Sequence, residues 1–171
     1  MIKLNNLVGL DDVKNEVVKL VNYIIYREST KEYLNHQPLN LNMIFSGNPG
    51  TGKTTSVLFL LLSLLSLDKS YKIYLVAPSG KAASRMKESI INGLVHLKKE
   101  FVETHQNVID KINNLEESTI HRLLAVDPET NGFYYNKNHQ FNENSIFIID
   151  ESSMIDVCLF NSLLEAIPNG A

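Results

Sequence analysis

The sequence predicts an α/β fold, a parallel sheet with helices on both faces. Three observations carry that prediction. Continuous apolar runs at residues 41–46, 72–77 and 145–149 read as strands buried on both sides, and longer segments with helical spacing separate them. A glycine-rich run, Gly47-Asn48-Pro49-Gly50-Thr51-Gly52-Lys53-Thr54, joins the first strand to the helix after it. An acidic pair, Asp150-Glu151, closes the third strand.

The elements follow in order. Residues 7–34 read as one or two helices, because Val13, Val17, Leu20, Val21 and Ile24 recur at helical spacing behind a possible cap at Asp11 or Asp12. Residues 35–40 are a polar loop with Pro38. The strand at 41–46 enters the glycine-rich loop, and a helix leaves over 52–67. The strand at 72–77 ends at Pro78-Ser79-Gly80, and residues 81–99 read as a helix. Residues 100–117 are polar and are also expected to be helical. The Asn-rich stretch 127–144 reads as a loop or hairpin, and a last helix covers 154–166. With no repeat or linker, the expectation is one domain: a helical lead-in over 1–40 and a nucleotide-binding core over 41–171.

Composition narrows the function classes. The 171 residues are 44% hydrophobic and 20% charged, ordinary for a globular chain with its own core. A single cysteine, Cys158, forms no internal disulfide and points to the reducing cytoplasm. The five histidines share no metal-ligand spacing, so no zinc site is expected. The N-terminus has no apolar leader, and the greasiest run, 57–67, is too short to span a bilayer. Net charge is −3, but residues 69–99 hold seven bases against one acid. That local excess fits either a solvated helix face or the flank of a polyanion track.

The phosphate chemistry is the most specific signal. Glycines let the backbone curl so that successive N–H groups face phosphate oxygens, and the following helix adds its positive end. Gly47, Asn48, Pro49, Gly50, Thr51 and Gly52 would form that cradle. Lys53 would reach the β- and γ-phosphates of ATP, Thr54 would ligate Mg²⁺, and Thr55 would contact the α-phosphate. Asp150 would hold the Mg²⁺, and Glu151 would deprotonate the attacking water. Lys53, Asp150 and Glu151 are therefore the candidate catalytic residues of a P-loop NTPase with a RecA-like sheet.

Three further motifs carry a family resemblance. Ala77-Pro78-Ser79-Gly80-Lys81-Ala82-Ala83-Ser84-Arg85-Met86 resembles motif Ia of RecD-like superfamily 1 DNA helicases. Ser118-Thr119-Ile120-His121-Arg122-Leu123-Leu124 resembles that family's Thr-Ile-His-Arg-Leu-Leu motif, and residues 148–156 resemble its motif II. The resemblance implies ATP-driven 5′→3′ translocation on single-stranded DNA. It also implies a nuclease–helicase complex as a source of partner subunits. Ser79, Lys81, Thr119, His121 and Arg122 become candidate DNA contacts, since hydroxyls and cations of this kind grip a phosphodiester backbone. Each has a plainer role open to it: Lys81 as a solvated helix residue, Thr119 as a helix cap, His121 as a packed polar residue.

The start of the chain resembles something else. Leu7-Val8-Gly9-Leu10-Asp11-Asp12-Val13-Lys14, taken with the strand and loop at 41–54, resembles CbbX/SpoVK-like AAA+ ATPases, which implies Val8 and Gly9 near adenine. In AAA+ proteins the acidic strand usually lies closer to the P-loop than the 97 residues that separate Lys53 from Asp150 here. The helicase reading is therefore favoured over AAA+ remodelling of a protein partner, and over a nucleotide- or DNA-binding module without turnover. The RecD-like pattern also implies a further strand, a second RecA-like domain and an arginine finger beyond Ala171. The chain is thus expected to be an N-terminal fragment with a sheet incomplete at its C-terminal side and little activity alone.

Overall fold

The computed structural model describes residues 11–30, 53–66, 71–95, 105–129 and 131–168, with the backbone alone for residues 11–13, 27, 28, 53 and 54. The expected strand at 41–46 lies outside them. The chain gathers into two compact groups, one of residues 1–37, 42–70 and 89–113, the other of residues 38–41, 71–88 and 114–171.

The first group is helical among the described residues. Helix α1 (Asp11–Ser29) forms where the apolar spacing indicates, and it buries Val17 and Ile24. It packs on α2 (Lys53–Leu65). Helix α2 has almost no polar face: Leu58, Leu61, Leu62, Leu64 and Leu65 are all buried. Its serines fit because their hydroxyls bond back into the helix, Ser63 Oγ donating to the Phe59 carbonyl at 2.8 Å. Helix α3 (Gly80–Leu94) contributes its last turns here. A Cβ on Gly93 would meet Leu58 Cδ2 at 2.6 Å, so a larger residue there would require the end of the Leu58 side chain to shift. Helix α4 (Gln106–Asn113) buries Val108, Ile109 and Ile112 and also packs on α2.

The second group holds a parallel three-stranded sheet. Strand β1 (Lys72–Ala77) is central, with β2 (Glu116–Thr119) on one side and β3 (Ser145–Ile149) on the other. Successive side chains of β1 alternate between faces. Tyr74 and Val76 pack with Ile120 and Leu124 of α5 (Ile120–Leu124), with Phe141, and with Leu163 and Ala166 of α6 (Val157–Ala166). Ala77 packs on the opposite face with Ala82 and Ala83 of α3. The α/β architecture with helices on both faces is thus present around β1. Leu163 is fully buried, so Leu163→Ala would cost about 2–5 kcal/mol.

Two expectations need correction. Residues 100–117 are not one helix: α4 ends at Asn113 and β2 begins at Glu116. Strand β2 carries no apolar run because it is half-exposed at one side of β1, and its polar sequence gave no period to read. Its pairing with β1 makes it a strand, in the register Tyr74↔Glu116 to Ala77↔Thr119. The last helix starts at Val157 rather than 154. A 3₁₀ turn fills Ser152–Met154, and Asp156 caps α6 by accepting from Cys158 N at 2.9 Å and Leu159 N at 3.2 Å.

The Asn-rich stretch is hairpin-like, with antiparallel bridges Val126↔Phe133 and Asn136↔His139. Its aromatic side chains anchor it to the sheet: Tyr135 stacks on Phe141 at 4.0 Å, and Phe141 meets Tyr74 at 5.4 Å. Among the described residues no helix is long and apolar enough to cross a membrane.

Candidate functional site

The carboxyl ends of the three strands are flush. Thr119 pairs with Ala77, Ile149 pairs with Val76, and the Asp150 N–H donates to the Val76 carbonyl at 3.0 Å. At about 4.8 Å per strand, Thr119 and Asp150 stand roughly 10 Å apart across β1. Ligands of open parallel sheets bind outside this edge. The motifs at 77–86, 118–124 and 148–156 all meet there.

After β1, Ser79 caps α3. Its hydroxyl accepts from Ala82 N at 3.2 Å, and its carbonyl accepts from Ala83 N at 3.1 Å. Lys81 follows in the first turn, exposed. After β2, Thr119 is extended (φ −80°, ψ 157°), and its hydroxyl accepts from Arg122 N at 3.3 Å. Each hydroxyl spends a lone pair on its own helix, which leaves the O–H hydrogen to donate elsewhere. His121 and Arg122 are exposed, and the His121 ring lies 6.0 Å from Phe133, edge-on. The cap reading of Thr119 therefore holds without removing its capacity to donate.

After β3 the chain turns sharply. Glu151 has φ 51° and ψ 36°, the left-handed region. That conformation costs a residue with a Cβ about 1–2 kcal/mol. Asp150 Oδ1 accepts from the Glu151 N–H at 2.9 Å, and the Glu151 carbonyl accepts from Met154 N at 2.9 Å. Both acidic side chains are exposed. Asp150 thus offers hard carboxylate oxygens to solvent, which suits Mg²⁺, an ion that keeps much of its water. Among the described residues no cluster of three or more His, Cys, Asp or Glu is placed to hold a metal.

The basic excess at 69–99 is partly spent. Lys87 Nζ lies 2.7 Å from Glu117 Oε2, and both side chains are half-buried, at 23% and 33% exposure. The Lys87 hydrogen bond holds the Glu117 carboxyl below the ordinary range; burial opposes this, and the Lys87 and Arg122 charges add to it. Sequence reading missed Glu117. Its partner is 30 residues away, and no local pattern announces the pair.

The remaining candidates lie elsewhere. Thr55 is half-buried in α2. Lys53 and Thr54 begin that helix, where the backbone alone is described. Val8, Gly9, Gly47, Asn48, Pro49, Gly50, Thr51 and Gly52 lie outside the described residues.

Comparison with known proteins adds an independent line. A family model described as an AAA domain matches residues 30–171. The RecBCD enzyme subunit RecD of Haemophilus influenzae is 41% identical over 128 residues, 72% of this chain and 19% of that protein. The ATP-dependent RecD2 DNA helicase of Deinococcus radiodurans is 31% identical over 129 residues, 75% of this chain and 14% of that protein. The ATP-dependent DNA helicase dda of Enterobacteria phage T4 is 29% identical over 152 residues, 84% of this chain and 27% of that protein. The chain spans about a fifth of the length of the RecD subunits it matches.

Proposed function

The chain belongs to the AAA domain family, and from that premise we propose that it is the ATP-binding motor segment of a DNA helicase. The observation that carries the reading is the flush carboxyl edge, where two capped hydroxyl turns and an acidic pair lie side by side. The similarity to RecD subunits and to two DNA helicases supports it.

In this reading Gly47 to Gly52 cradle the phosphates of ATP, Lys53 neutralises the β- and γ-oxygens, and Thr55 touches the α-phosphate. Val8 and Gly9 border the adenine. Thr54 and Asp150 hold Mg²⁺, which when bound supplies positive charge to the departing phosphate. Glu151 orients the attacking water and takes its proton. Ser79, Lys81, Thr119, His121 and Arg122 grip phosphates of single-stranded DNA, and each round of ATP hydrolysis advances the strand 5′→3′. The protein works in the cytoplasm with further helicase lobes and the other subunits of a nuclease–helicase complex. An arginine finger is worth 10³–10⁵ in rate, so the 171 residues alone hydrolyse ATP slowly or not at all.

Calorimetry with Mg·ATP tests the phosphate site. Lys53→Ala should abolish most of the affinity, and unchanged binding would remove Lys53 from its role. Anisotropy with labelled single-stranded DNA tests the track. Binding should be weak, indifferent to sequence and steeply salt-dependent. Rapid unwinding by these 171 residues alone would overturn the expectation of low intrinsic activity.

A further inference from the structure

Glu117 is level with Leu75 of β1, and Thr119 is level with Ala77. Side chains two apart on a strand point to one face. Glu117 and Thr119 therefore share the face on which Ala77 packs with Ala82 and Ala83 of α3. One ion pair joins α3 to β2 there: Lys87 Nζ donates to Glu117 Oε2 at 2.7 Å, across 30 residues of sequence. Toward the carboxyl edge from that pair stand two hydroxyl caps, Ser79 at the start of α3 and Thr119 at the end of β2.

Strand β2 depends on its neighbours. It is 4 residues long, it lies at one side of β1, and none of Glu116 to Thr119 is apolar or fully buried. Short, half-exposed elements open at low cost, so a side-chain tie to a packed helix matters more here than on a buried strand. Placement also matters more for some groups than for others. The flexible stems of Lys81 and Arg122 can follow a phosphate that shifts. A Ser or Thr hydroxyl cannot, since it sits on one short rotor and its hydrogen bond needs a separation below about 3.0 Å.

We propose that Lys87 and Glu117 are positioning residues: their ion pair holds the Thr119 turn level with the Ser79 turn, so that both hydroxyls reach phosphates of single-stranded DNA. This role rests on the DNA-binding reading above. Neither residue touches DNA. The pair acts by placement, so its effect passes through hydroxyl hydrogen bonds and not through charge on the track. The base excess at 69–99 is thus divided: Lys81 and Arg85 are exposed to solvent, and Lys87 braces the track from behind.

Anisotropy with a labelled oligothymidylate across a salt series reads the effect on the 171-residue chain. Lys87→Met and Glu117→Val break the pair with residues that suit a helix and a strand. Each should weaken binding about twofold to fivefold, the scale of a partly exposed ion pair, and leave the log–log salt slope unchanged. The sign at Glu117 is decisive, because loss of an acid near phosphates strengthens binding on charge alone. Lys87→Met with Glu117→Val should be no weaker than either single variant. Lys87→Glu with Glu117→Lys, which reverses the pair, should bind like wild type. Calorimetry should find the same Mg·ATP affinity in every variant. Glu117→Val binding as tightly as wild type, or more tightly, would overturn the proposal. A slope lowered by about 0.7 in Lys87→Met would also overturn it and make Lys87 a direct phosphate contact. A parallel fall in Mg·ATP affinity would overturn it in favour of a general loss of fold. In all three cases salt-dependent binding by wild type leaves the DNA reading standing. Absence of that binding in wild type would instead remove the DNA reading, and this role with it.

Discussion

The ends of β2 and β3 lie at one level of one sheet, but their backbones are built in opposite ways. Thr119 leaves β2 with ordinary extended angles and caps the helix that follows. Glu151 leaves β3 in the left-handed region and leads into a 3₁₀ turn. The first end is relaxed and the second is strained. A cap gives the same side chain a stabilising bond and an outward donor. Left-handed backbone at a residue other than glycine persists only where its surroundings hold it. Here the Asp150 carboxylate accepts from the Glu151 N–H, and the Asp150 N–H is tied to β1. Stability is thus spent at the end where proton transfer is proposed and gained at the end where DNA contact is proposed.

The sharpest way to break this contrast is at Glu151. In any assembly where the chain turns over ATP, Glu151→Gln should keep nucleotide affinity and slow hydrolysis by roughly 10²-fold or more, as for loss of a general base. Equal turnover would reduce the strained end to a backbone feature. At the relaxed end, Thr119→Ala should lower stability by about 1 kcal/mol through loss of the cap. A urea midpoint unchanged from wild type would show that the cap contributes nothing.

Glycine substitutions give smaller effects of the opposite sign. Glu151→Gly should raise stability by up to about 1 kcal/mol while removing the proposed base, because relief of left-handed strain slightly exceeds the entropy cost of glycine. Ala125, with φ 52° and ψ 142°, is the control. Ala125→Gly should stabilise to a similar extent without touching ATP affinity. If neither raises the melting temperature, positive φ does not mark strain in this chain.

The smallest effect concerns pH. Glu117 has a lowered folded pKa, caused first by the Lys87 hydrogen bond and opposed by burial. Its contribution to stability is therefore complete above roughly pH 4.3, the ordinary glutamate value, and is lost as pH falls through the lower folded value. The stability gap between wild type and Glu117→Gln should shrink below about pH 4. A gap independent of pH would mean that the pair contributes through packing alone.

Much of the architecture was legible because it is written locally. The apolar runs at 72–77 and 145–149 match β1 and β3, since a strand buried on both faces has no polar alternation to blur it. Spacing located α1, and a largely apolar stretch located α2. Thr119 was readable as a hydroxyl that precedes a helix, and it acts as a cap. Strand β2 was not readable. Glu-Glu-Ser-Thr has neither period nor apolar content, and its form comes from β1 alongside it.

By itself, then, the sequence determined the residue types at the three strand ends, because turn chemistry, capping and glycine-rich loops depend on neighbours along the chain. Only the tertiary structure decided that those ends are flush, that Lys87 faces Glu117 rather than solvent, and that Glu151 is strained. The physical reason is that register and ion pairing join residues distant in sequence. Their energies come from burial and from distances that no local window contains.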